Sequence, residues 1–180
     1  MKKIAVLFAG LIAASSVLTG VSLAADVTAP VKEIIDDTKK NWASDVSDWI
    51  DIFEESRLAR LYSKDFGDKY KDAAKNPAAD EDGISPFDYD VIVNGQDACP
   101  LQDLSIESGQ PTNGTTEVTV KFKAATCMEG APNRDAFTTV RFEVIEEAGK
   151  PVIDDIMIQG EEGQGPISLK EAMVQIANGE

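Results

Sequence analysis

Apolar residues in the first half of the chain recur at three- and four-residue spacing, the mark of amphipathic helices. Val31, Ile34, Ile35, Thr38 and Trp42 form one stripe, while Lys32, Glu33, Asp36, Asp37, Lys39 and Lys40 fill the opposite face. Thr28 followed by Pro30 reads as an N-cap with proline in the first turn. A second short helix is predicted from Ser44, because Val46, Trp49, Ile50 and Phe53 again mark one face. A third is predicted from Ser56, with Leu58, Leu61, Tyr62, Phe66 and Tyr70 facing inward and a kink or end at Gly67.

Between residues 75 and 86 turn formers crowd together (Asn76, Pro77, Asp80, Glu81, Asp82, Gly83, Pro86), and after them the period changes to two. Tyr89, Val91 and Val93 alternate with Asp88, Asp90 and Ile92, and Leu104 and Ile106 alternate with Ser105 and Glu107. The clearest strand is Glu117 to Ala125. There Val118, Val120, Phe122 and Ala124 share one face, and Glu117, Thr119, Lys121 and Lys123 the other. One buried and one wet face point to an antiparallel sheet. Phe137 to Ile145 and Pro151 to Ile158 are two further strands, joined through Glu146-Glu147-Ala148-Gly149-Lys150 with glycine for the turn. Past the glycine-rich stretch 160–165, Ser168 and Glu171 make a capping-box spacing ahead of Ala172, Met173 and Ile176, so the chain is expected to close on a short helix. Helices followed by antiparallel strands is the order of an α+β domain in which the sheet wraps against the N-terminal helices.

Particular residues resemble a known family. Leu58-Ala59-Arg60-Leu61-Tyr62-Ser63-Lys64-Asp65, then Pro86-Phe87-Asp88 with Gln96-Asp97, then Val152-Ile153-Asp154-Asp155-Ile156 look like the pattern of an exported bacterial family known as domain of unknown function 3828. The likeness runs from the first helix to the last strand. It implies a half-cone of the nuclear-transport-factor-2-like superfamily, in which three helices precede a curved sheet. It carries over no activity.

The N-terminus changes the picture of where such a domain works. Lys2 and Lys3 precede an apolar run from Ile4 to Leu18, and Ser22-Leu23-Ala24 places small residues where a signal peptidase reads. Gly10, Ser15, Ser16 and Gly20 interrupt the run, which falls short of the roughly 20 apolar residues of a membrane span. Residues 1–24 are therefore expected to be a secretory signal peptide, cut after Ala24 or alternatively after Ala25, leaving 25–180 as one periplasmic domain without a membrane anchor. No cysteine stands directly after the run and no arginine pair precedes it, so neither a lipid anchor nor export in the folded state is expected.

Composition narrows the partners. The mature chain would carry 15 basic against 32 acidic residues, a net −17. Such a charge repels nucleic acid and anionic lipid and admits a cationic partner. Cys99 and Cys127 make an even pair, most simply a structural disulfide in an oxidising compartment. They are 28 positions apart and the chain has no histidine, unlike a redox-active C-x-x-C pair.

Zero histidines also sets aside catalytic triads and the commonest transition-metal ligand, leaving carboxylates and tyrosines. In ketosteroid-isomerase-like enzymes an aspartate base and a tyrosine oxyanion donor suffice. Here Asp90 and Asp155, with Tyr89 or Tyr62, are the candidates for such work, against the plainer roles of strand surface, hairpin-end hydrogen bonding and core packing. Asp80-Glu81-Asp82-Gly83 offers hard oxygens to calcium, Asp80 and Asp82 above all, but lacks the glutamate of an EF-hand loop and reads better as a solvated turn, as do Glu161, Glu162 and Gln164. Gln96 and Asp97 are expected to fix the loop beside Cys99. Asn113-Gly114-Thr115 matches a glycosylation acceptor and is read as an exposed turn. No cofactor is expected.

The leading expectation is a non-enzymatic periplasmic binding or interaction module in which the concave face of the sheet, closed by the N-terminal helices, takes a small apolar ligand or a segment of another protein. An acidic inhibitor or immunity-type protein against a basic envelope partner is the second, and an isomerase-like enzyme the third. Whether a pocket stands open or is filled by Trp42, Trp49 and Phe53 decides among them.

Overall fold

The protein is described by a computed structural model covering residues 25–76, 86–160 and 165–179 of the 180-residue chain. The proposed signal peptide, the acidic run Asp80 to Gly83, and Glu161, Glu162 and Gln164 lie outside the described residues. Helix α1 (Ala29–Asn41) forms where the first stripe predicts it, with Val31, Ile34, Ile35 and Thr38 buried. Thr28 takes the N-cap position, but its hydroxyl does not cap the helix. It donates instead to Asp26 Oδ1 at 2.6 Å. That bond, followed by those from Lys32 and the Thr28 amide, holds the Asp26 carboxyl down at about 2. Asp37 belongs to the buried side, not the wet one, and accepts from Arg57 Nε and Nη2 at 3.1 and 3.0 Å.

The helix predicted from Ser44 is absent: residues 44–54 are turns and extended chain, with Val46 47% and Trp49 58% exposed. The next stripe is two helices, α2 (Glu55–Leu61) and α3 (Lys64–Ala73). They part at Tyr62 and Ser63, not at Gly67, which sits inside α3. Ser63 is extended and its Oγ accepts from the Phe66 amide, a new N-cap that ends one helix and begins the next.

Five strands follow in a simple antiparallel meander, β1 (Gln102–Ser108), β2 (Thr115–Lys123), β3 (Thr138–Glu147), β4 (Lys150–Ile158) and β5 (Ile167–Ser168), in that spatial order. β2 alternates as its sequence demands, with Val118, Val120 and Phe122 fully buried. The β3–β4 turn is the two residues Ala148 and Gly149, at φ 50° and 77°, the left-handed pair that matches strand twist. Asn113 and Gly114 make the same kind of turn before β2, which confirms the reading of that triplet as a turn. Two register shifts, one around Asp103 and one that leaves Asp154 as an extra residue in β4, introduce bulges that bend their strands.

The residues 89–93 are not a strand. Val91, Ile92 and Val93 are all buried in a turn closed by a single bridge between Asp90 and Gly95. The chain closes on α4 (Leu169–Asn178), whose N-cap Ser168 accepts from the Glu171 amide as the capping spacing predicts. All four helices pack on β4. Its open edge is used at Ile153, where the Ser63 amide donates to the carbonyl at 2.8 Å, and at its far end by β5, so little of it is left to pair with another chain. One apolar core joins the helices, the 87–93 turn and the sheet, with Phe53 ringed by Tyr62, Phe66, Tyr70 and Phe87. No helix among the described residues is long and apolar enough to cross a membrane.

Candidate functional site

The end of α1, the irregular chain 44–53 and the turn 86–97 enclose a cleft of about 510 Å³. Each wall is fixed by side chains that bond backbone. Buried Asn41 donates from Nδ2 to the Ile50 carbonyl and accepts from the Ile50 amide, both at 2.8 Å, so one amide group replaces the helical bonds that the loop does not make. Asp51 Oδ1 accepts from the Phe53 amide at 2.8 Å and turns the chain into the core. On the facing wall Asp90 Oδ1 accepts from the amides of Ile92 and Val93, and Asp90 Oδ2 accepts from Trp42 Nε1 at 2.8 Å. That last bond ties the two walls together across 48 positions of sequence.

Five aromatic rings line the space: Trp42, Trp49, Phe53, Phe87 and Tyr89. Trp42 and Trp49 meet edge to face with centroids 5.5 Å apart and planes at 87°, giving two perpendicular indole walls. Tyr89 is half-buried, and burial, then Asp88, pushes its phenol up. The charged groups of the lining are Asp51, Asp88 and Asp90, and among the described residues none of the lining side chains is basic.

No family model, curated protein or solved structure matches this chain.

The structure brings together one aspartate–tyrosine pair of the isomerase-like candidates and places the other two candidates elsewhere. Asp90 and Tyr89 line the aromatic cleft. Asp155 lies in a second cleft of about 550 Å³ beside α4, and buried there it accepts from Ser168 Oγ and the Lys170 amide, capping that helix from β4. Tyr62 is sealed in the core, donates to the Ile52 carbonyl at 3.2 Å, and is pushed well up by burial, then by Asp51. In the second cleft both lysines are paired: Lys170 Nζ meets Asp154 at 2.9 Å and Asp65 at 3.1 Å, and Lys69 also pairs with Asp65. Glu143, across from Asp155 in the β3–β4 ladder, is raised by burial, then by Asp155 and Asp154.

Cys99 and Cys127 are bonded, with Cα atoms 5.7 Å apart. Gln96 does fix its loop, donating to the Asp88 carbonyl at 3.1 Å, and also lines the cleft, while Asp97 is exposed. Asp80 and Asp82 lie outside the described residues, among which no group of three acidic or cysteine side chains is placed to hold a metal ion. Sequence reasoning missed Asn41, Asp51, Asp88 and Phe87 as lining residues. The signals were present: Asn41 ends a helix before a polar run, and Asp51 and Asp90 each stand two residues before the amide they accept from, an Asx-turn spacing.

Proposed function

We propose that the protein is a non-enzymatic binding module of the bacterial cell envelope that takes a small, partly apolar ligand in the aromatic cleft. The observation that carries this is the cleft itself. Its volume falls in the range of roughly 300 to 1,000 Å³ usual for ligand sites, its inner end is floored by the core rings of Phe53 and Phe87, and the Trp42 indole is held across its walls by the bond to Asp90. A binding role also fits the polar groups, since Asp90 spends its oxygens on three donors that shape the site. In this reading the helices and five-stranded sheet are the half-cone of the nuclear-transport-factor-2-like superfamily, in the exported family named above. The helix-first order, the bulges and the packing of the helices on β4 support it. The signal-like N-terminus and the disulfide support a periplasmic location.

Native mass spectrometry of the protein purified from its own cell envelope tests the reading. A small molecule is expected to travel with the wild-type chain and to be lost from Trp49→Ala. Equal retention by the variant, or a bare chain in both cases, contradicts a ligand held in this cleft.

A further inference from the structure

We infer that the ligand of the aromatic cleft is a small organic cation with an apolar body, an ammonium or guanidinium attached to a ring or short hydrocarbon. This rests on the reading of the cleft as the binding site and adds the charge of its occupant. Three observations converge on it. The lining holds three carboxylates and no basic side chain among the described residues, so an anion entering it meets only repulsion. Of the amide side chains that would recognise a neutral polar ligand, Asn41 is engaged with both backbone groups of Ile50, and Gln96, which gives one N–H to the Asp88 carbonyl, stands on the exposed rim. The rings of Trp49 and Tyr89 are partly open, and indole and phenol faces attract cations.

The carboxylates are not equivalent. Asp90 is occupied by Trp42 and two amides. Asp51 gives one oxygen to Phe53, and Asp88, on the exposed rim, shows no donor to its carboxylate among the described residues. Asp88 and the second oxygen of Asp51 are therefore the groups positioned to meet an ammonium, while the indoles take the apolar body. The cleft's volume of about 510 Å³ suits a small molecule.

The test uses three probes of matched shape and different charge: 2-phenylethylammonium, 2-phenylethanol and phenylacetate. Trp42 and Trp49 are the chain's two tryptophans and both line the cleft, so intrinsic emission reports on this site alone. The ammonium is expected to change the emission saturably and to bind about tenfold or more tightly than the alcohol, with phenylacetate showing no saturation. Binding of the ammonium should weaken severalfold as salt is raised, because the rim is exposed. By calorimetry Asp88→Asn should weaken it about tenfold or less and Trp49→Ala should abolish it. Both side chains stand at the surface, so urea midpoints should barely move. Binding of the alcohol as tight as that of the ammonium overturns the cationic ligand and leaves the cleft as a site. Absence of binding by all three probes overturns both.

Discussion

Replacing Phe53 with alanine is expected to lower the unfolding free energy by about 3 to 5 kcal/mol, the usual cost of emptying a buried phenylalanine site. The ring is in contact range of four others, with centroids at 4.8 Å from Tyr70, 5.6 Å from Tyr62, 6.0 Å from Phe66 and 6.2 Å from Phe87. None of these can follow the missing ring without leaving its own partners, so the cavity persists. Val46→Ala, seven positions earlier in the same irregular segment, is expected to cost no more than about 0.5 kcal/mol, because Val46 is at the surface. On the helical stripe read from the sequence the two residues would share one buried face and cost comparable amounts. Urea unfolding of both variants separates the two structures: a large difference supports the loop held by Asn41, and similar losses contradict it.

Loss of the disulfide in a Cys99→Ala, Cys127→Ser double variant is expected to cost about 3 to 4 kcal/mol, from the entropy regained by an unfolded loop of 28-residue separation. That is a large share of the 5 to 15 kcal/mol that holds a typical domain. The effect should reach the cleft. Cys99 follows directly on the turn that carries Tyr89, Asp90 and Gln96, and its amide bonds the Ala124 carbonyl at the end of β2. Without the bond the turn keeps the core contacts of Val91 to Val93 but loses its covalent tie to the segment after β2. Unfolding followed by tryptophan emission, with and without reductant, checks this. A midpoint unmoved by reduction would show that the bond contributes nothing to stability.

Much of the scaffold was legible because its residues obey one period throughout. β2 and β3 alternate along most of their length, the β3–β4 hairpin carries a left-handed turn pair, and α1 and α4 carry clean stripes with recognisable starts. The failures have local causes. In 44–53 the spacing of Val46, Trp49, Ile50 and Phe53 imitates a helix, yet the Asn41 side chain captures both backbone groups of Ile50 and Asp51 captures the Phe53 amide. In 89–93 the alternation imitates a strand, while Asp90 gathers two following amides and Asn94 adopts φ 56°, so the segment turns and buries three consecutive apolar residues. Both misread segments line the cleft. Side-chain-to-backbone bonds of this kind leave no periodic trace, and they shape the two segments that set Trp49 and Tyr89, with Trp42, around a common space. The fold class could be read from apolar spacing; the site depends on single polar residues whose partners lie far along the chain, as Asp90 and Trp42 show.

The most direct test of the cleft as the binding site is to map amide and indole chemical shifts of the ¹⁵N-labelled protein as 2-phenylethylammonium is added. The shifts are expected at the indole N–H of Trp49 and Trp42 and at backbone amides of residues 49–53 and 87–96. Shifts centred instead on Ser168, Lys170 and Glu171, or spread evenly over the surface, would contradict it.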